Sequence, residues 1–217
     1  MAANFDINLY LNKNVNYNEI IKWLNETKIP YEISEINAID NWTFENQRII
    51  ENDNIKLINK LISEEKIILV YGKLIQKHSF GVMISYKETI SEVNIWVSTK
   101  QLLYLEDDYI SENNIDVYDA IINFIITYFN NKDFLICGIG VETIMGEDRV
   151  VDKLIADSYN VSCFILPKKY EVNSLRLCDM KKIDNYFIYF LKKDFEPGVV
   201  AHAFNPGEAV KSGNPKI

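Results

Sequence analysis

Between Lys66 and Thr99 the chain carries three strand-like runs in close succession, KIILVYGKLI, FGVMISYK and EVNIWVST, joined only by QKHS and ETIS. Connections of that length suit hairpins, because a parallel crossover needs roughly a dozen or more residues. The runs therefore read as neighbours in an antiparallel meander, and the remaining elements have to be arranged around that sheet. The first run is apolar at consecutive positions, as in a strand buried on both faces. The third alternates, with Val93, Ile95 and Val97 on one side and Asn94, Trp96 and Ser98 on the other. Trp96 so falls on the polar face. The expectation is that a helix covers it; the alternative is an aromatic open to a partner, since tryptophan is enriched at interface hot spots.

Before the meander, Phe5, Ile7, Leu9 and Leu11 alternate with Asp6, Asn8 and Tyr10, the period of a strand with one buried face. Asn16 and Glu19 have capping-box spacing ahead of Ile20, Ile21, Trp23 and Leu24, and Pro30 closes that helix. YEISEI then returns as a strand, giving a β-α-β opening. From Asn37 to Asp53 the periodicity fades, and Trp42 and Phe44 read as part of a loop packed on the core. A short helix over 54–63 puts Ile55, Ile58, Leu61 and Ile62 on one face.

After the meander, NNIDVYDAIINFIITYFNNK predicts the strongest helix, capped by Asn113 or Asn114 and apolar around most of its circumference, hence deeply packed across the sheet. DFLICGIGV is a strand, GEDRVVDKLIADSY a helix with Val150, Val151, Leu154 and Ile155 on one face, and VSCFILPK and NYFIYFLKK are strands. The fold expected is α+β: a mostly antiparallel sheet with three to four packed helices in a single globular domain over 1–195, plus an irregular C-terminal extension over 196–217.

That extension changes composition abruptly after Phe195, with Pro197, Pro206 and Pro215 spaced evenly by nine. Pro-Gly and Asn-Pro are turn signals, so the segment reads as a chain that turns and extends without a core of its own. It is an appended segment, and Pro197, His202, Phe204 and Pro206 are its candidate contacts if it serves as an interaction arm.

A net charge of −8 works against a general nucleic-acid binder, whose affinity comes largely from Lys and Arg neutralising phosphates. No apolar run approaches the roughly 18 residues of a membrane helix, and the N-terminus lacks the basic and apolar regions of a signal peptide. A cytoplasmic protein without direct membrane or nucleic-acid contact is the expectation. Cys137, Cys163 and Cys178 are an odd count without CxxC spacing, and two histidines offer no ligand pattern; neither metal nor cofactor is expected.

Enzyme signatures fail at identifiable residues. CGIGVETIMG reads as a Gly138-x-Gly140 turn from strand to helix, but a dinucleotide fingerprint needs glycine where Thr143 stands. Glu64-Glu65-Lys66 lacks an aspartate partner, and His78 and its neighbour Ser79 point opposite ways in an extended segment. What survives is YLEDDYISENNIDVYD, where Glu106, Asp107, Asp108 and Glu112 stand among Tyr104 and Tyr109. Such carboxylates attract a basic protein while the tyrosines supply buried area. The expected function is a non-enzymatic protein-binding module, in the manner of an acidic inhibitor or immunity-type protein that binds a basic effector, using this loop and Trp96. The alternative is a small carboxylate-dependent enzyme, with or without a metal, sited near Gly138 and Gly140 and using carboxylates such as Glu142.

Overall fold

Alternating apolar residues in the meander build into a wide antiparallel sheet. The computed structural model describes residues 3–190 apart from 45, 75–77, 108, 130–132, 147–149, 171, 173–174 and 176–177. In chain order the elements are β1 (Asn4–Leu11), α1 (Tyr17–Glu26), β2 (Tyr31–Ile39), β3 (Arg48–Ile50), α2 (Ile55–Ser63), β4 (Ile67–Leu74), β5 (Ser79–Lys87) and β6 (Ile90–Ser98). They continue with α3 (Ile115–Tyr128), β7 (Phe134–Val141), α4 (Val151–Ala156), β8 (Cys163–Pro167), β9 (Asp179–Ile183) and β10 (Tyr186–Phe190). The ten strands form one sheet in the order β3-β2-β4-β5-β6-β1-β7-β8-β10-β9. Every neighbouring pair is antiparallel.

The meander β4-β5-β6 stands as expected, but the β-α-β opening does not make neighbours. β1 inserts between β6 and β7, while α1 carries the chain to β2 on the far side of the meander. β3 and β9, the two edge strands, were not anticipated.

One face of the sheet carries three helices. Tyr17, Ile20, Trp23 and Leu24 of α1, Ile58, Leu61 and Ile62 of α2, and Tyr118, Ile122 and Ile125 of α3 share a core with Leu9, Ile36, Ile68, Ile84, Val93 and Cys137. Asn16 caps α1 as read, its Oδ1 accepting from the Glu19 N–H at 3.0 Å, and Lys13 holds the Glu19 carboxylate at 2.6 Å. The helix ends before Pro30, where Lys28 turns the backbone into the left-handed region at φ 57°. Asn54 caps α2 in the same way. Ile55, its first residue, is 39% exposed and leaves the packed stripe to Ile58, Leu61 and Ile62.

α3 packs over about half its circumference, with Val117, Ile121, Phe124 and Ile126 partly buried against the core beside the buried residues. Tyr118, Ile122 and Ile125 are buried at i, i+4, i+7 spacing, whereas Ile115 and Tyr128 are exposed.

The opposite face divides in two. Over β7, β8 and β10, Val151, Leu154 and Ile155 of α4 join Met145, Val161, Phe164, Leu166, Phe187 and Tyr189 in a second core. Val150, expected on that face, is 54% exposed at the helix cap. Gly138 and Gly140 lie within β7, paired with Asn8 and Asp6 of β1, so they form no turn. Their role is close approach: a Cβ on Gly140 would lie 2.1 Å from the Asn160 carbonyl oxygen, and one on Gly138 would lie 2.4 Å from Met145 Sδ. Over β2, β4 and β5 the same face holds a smaller cluster of Ile39, Leu69 and Met83.

Cys137, Cys163 and Cys178 are free, and burial pushes all three thiols up, as for inert packed cysteines. Among the described residues no helix is long and apolar enough to cross a membrane. Pro197, His202, Phe204 and Pro206 lie outside the described residues.

Candidate functional site

The β2–β3 hairpin displays Trp42 and Phe44, which the sequence placed in a loop packed on the core, and Ile49 beside them. Trp42 is 59% exposed, Phe44 47% and Ile49 71%. The turn between the strands is held by polar contacts: Asn41 Oδ1 accepts from the Thr43 N–H at 3.0 Å, and Asn46 Nδ2 donates to Asp40 at 3.1 Å. Lys66 pairs with Asp40 at 2.9 Å, and the bonds from Lys66 and Asn46 hold its carboxyl below the usual range. Phe44 and Asn46 both adopt φ 60°, a conformation that costs a residue with a side chain. The described residues of the turn thus present two aromatic rings to water.

The hairpin runs into the sheet face opposite α1, α2 and α3. In register from the edge stand Ile49 and Asn37, then Glu35 beside Tyr71, then Gly81, Trp96 and Asp6. The Trp96 indole packs directly on Gly81, and the Tyr71 ring meets it at 6.0 Å between centroids and 63° between planes. Trp96 belongs to neither large core and stays half-buried, so the expected covering helix is absent among the described residues. Asn37 is buried and its Nδ2 donates to Glu35 Oε1 at 2.5 Å, while its Oδ1 has no hydrogen-bond partner. Burial, reinforced by the Glu35 charge, raises the Tyr71 phenol.

Beyond Trp96 lies a buried polar cluster. Asp6 is 7% exposed; its Oδ2 accepts from the Thr143 N–H at 3.0 Å and its Oδ1 from Asn94 Nδ2 at 3.4 Å. Asn94 also donates to Asn8 Oδ1 at 2.6 Å, and Asn8 Nδ2 is buried without a partner. Burial pushes the Asp6 carboxyl up to about 6, against the lowering effect of the Thr143 and Asn94 hydrogen bonds and with a further push from Glu142. Glu142 itself accepts from the Asn4 N–H at 2.6 Å. Among the described residues no group of three or more His, Cys, Asp or Glu is placed to hold a metal.

The acidic tyrosine loop lies elsewhere. Leu102, Leu105 and Ile110 tie it to the core on the helical face, which separates it from Trp96. Tyr104 is 43% exposed, and Glu106 and Glu112 are exposed. Glu106 accepts from Thr99 Oγ1 at 2.8 Å and Asp107 from Ser111 Oγ at 3.0 Å, so both also brace the entry to α3. Tyr109 is half-buried and its carbonyl accepts from Asn114 Nδ2 at 3.0 Å. Asp108 lies outside the described residues.

Sequence reasoning missed Ile49, Glu35, Tyr71 and the Asp6 cluster. Asp6 and Asn8, in line on the polar side of an otherwise apolar strand, were the available signal. No protein-family model, curated protein or solved structure matches this chain.

Proposed function

We propose that the chain is a non-enzymatic protein-binding module whose partner is a basic protein, acting as an acidic inhibitor or immunity-type protein acts on its effector. The observation that carries this reading is the display of Trp42, Phe44 and Ile49 on one short hairpin. Large apolar groups exposed together mark interaction surfaces, and tryptophan is the commonest anchor of such contacts. The net charge of −8, with Glu106, Asp107 and Glu112 on the opposite side of the sheet, adds long-range attraction for a positive partner.

Affinity purification with the full chain, then reassembly with each purified candidate, tests this. Trp42→Ser with Phe44→Ser should weaken binding about a hundredfold through faster dissociation, as the loss of two anchors does. Asp107→Asn with Glu112→Gln should slow association and flatten its salt dependence. A partner bound equally well by both double variants, or no basic partner at all, overturns the proposal.

A second reading rests on Asp6. A buried carboxyl poised near neutrality beside the Thr143 N–H is suited to moving a proton. This favours the alternative of a small carboxylate-dependent enzyme, its site centred on Asp6 and Glu142 next to Gly140. Turnover found in a substrate screen and lost in Asp6→Asn, with the fold retained, would establish it; turnover unchanged in that variant would end it.

A further inference from the structure

We infer that the corner formed by Trp96 and Tyr71 receives a guanidinium group, an arginine side chain of the basic partner. This rests on the binding-module reading and names its point of recognition. Gly81 lets the Trp96 indole lie against the strand, which fixes one side of the ring. Tyr71 stands 63° to it at 6.0 Å, giving the corner a second aromatic wall. Beside Tyr71, in register, is the exposed carboxylate of Glu35. Asn37 orients that carboxylate by donating to it. Two π-walls and a carboxylate are complementary to one chemical group: flat, positively charged and rich in N–H.

Guanidinium meets all of these conditions. It stacks on indole, is weakly hydrated and presents five donors in one plane, whereas an ammonium is a compact, strongly hydrated charge with no face to stack. The charge on this face agrees. Glu32, Glu35, Glu92 and Asp6 point the same way as Trp96. Among the described residues the cations on this face of β4 and β5 are Lys73, two residues along from Tyr71 and paired in register with Glu32, and Lys87 at the end of β5 beside Ile90. The corner also continues through Asn37 to Ile49 on the displayed hairpin, so one partner surface can reach both.

The test follows the indole N–H resonances of the full-length chain, in which Trp96 is identified among three tryptophans by Trp96→Phe. Capped Gly-Gly-X-Gly-Gly peptides are titrated in, with X as arginine, lysine or the neutral isostere citrulline. A saturable shift of the Trp96 resonance with arginine, several-fold weaker with lysine and absent with citrulline, is expected. Glu35→Gln, an exposed substitution, should weaken it about tenfold by removing one charge-assisted contact, and Asp116→Asn, an exposed substitution in α3, should leave it unchanged. No saturable shift, or an equal one with citrulline, overturns the inference. A basic partner that binds Trp96→Phe and Glu35→Gln as tightly as the parent chain also overturns it, yet leaves the module reading standing. If the corner takes the arginine peptide but no basic protein binds, the partner assignment falls and the site is one for free guanidinium compounds.

Discussion

Trp96 occupies the space that a side chain would need at Gly81: a Cβ there would lie 2.1 Å from Cζ2 and 2.2 Å from Cε2 of the indole. The same device recurs on the neighbouring strand, where a Cβ on Gly72 would lie 2.4 Å from Phe80 Cε1. Glycine leaves a strand without a side chain to pack, and here an aromatic from the adjacent strand fills the gap. Gly81→Ala therefore has to push the indole off the sheet. The expected cost is ~1–3 kcal/mol, typical of overpacking, seen as a lower urea midpoint with a shifted tryptophan emission. Unchanged emission would mean that the ring is not held by this contact.

Asp6 makes stability depend on pH in an unusual direction. Its folded carboxyl titrates at about 6 against an ordinary 3.8, so the folded chain binds this proton more tightly than the unfolded one. Stability from this group accordingly rises as pH falls from about 7 towards 4, and is lost again as pH rises through the folded value. The difference corresponds to at most ~3 kcal/mol. Urea unfolding between pH 7.5 and 5 should give a midpoint that climbs on acidification, and Asp6→Asn should flatten the profile. A profile unaltered in the variant would assign the dependence to other groups.

The turn into α3 hangs on Asn114, which is fully buried. Its Oδ1 accepts from the Ser111 N–H at 2.8 Å while its Nδ2 donates to the Tyr109 carbonyl at 3.0 Å. Asn114→Ala strands the buried Ser111 N–H and frees the Tyr109 carbonyl, at about 1–3 kcal/mol. Because Ser111 also holds Asp107, the acidic loop should loosen with it. Faster amide exchange at 107–114 in the variant, with β4 to β6 unaffected, is the expected pattern; uniform destabilisation would contradict it.

How far this fold could be read beforehand depended on whether a residue answers to its sequence neighbours or to distant ones. Asn16 and Glu19 sit three apart, and their cap was legible. The alternation through Val93, Ile95 and Val97 likewise fixed which side Trp96 faces. Asp6 and Thr143 meet across 137 positions, and no local period encodes that pairing. Gly138 and Gly140 mislead for the same reason: glycines three positions and one position from a strand's end resemble a turn, and only the Asn160 carbonyl and Met145 lying against them explain their presence. Trp42 and Phe44 fail differently. Aromatic character ordinarily predicts burial, so aromatics that the fold leaves exposed are read wrongly. β9 was invisible because Asp179, Lys181 and Lys182 give an edge strand no apolar alternation. Its turn signal, Asp184-Asn185 with Asp184 at φ 47°, was present.

Those lysines carry the last prediction. Among the described residues β9 closes one edge of the sheet, and a sheet edge is where another strand can add. Met180, Lys181 and Lys182 are exposed along it, with Lys182 Nζ over the Phe187 ring at 5.3 Å from the centroid. Two adjacent positive charges repel a second copy of the same edge and are costly to desolvate in a new strand pair. At the other edge β3 is only three residues long, too short to template much pairing. Lys181→Val with Lys182→Val should therefore convert a protected edge into an adhesive one while raising the strand's own β-propensity. Sedimentation velocity should show concentration-dependent association of the variant at tens of micromolar, with little change in its unfolding midpoint. A variant that stays as dispersed as the parent chain would show that β9 is guarded by something other than its charge.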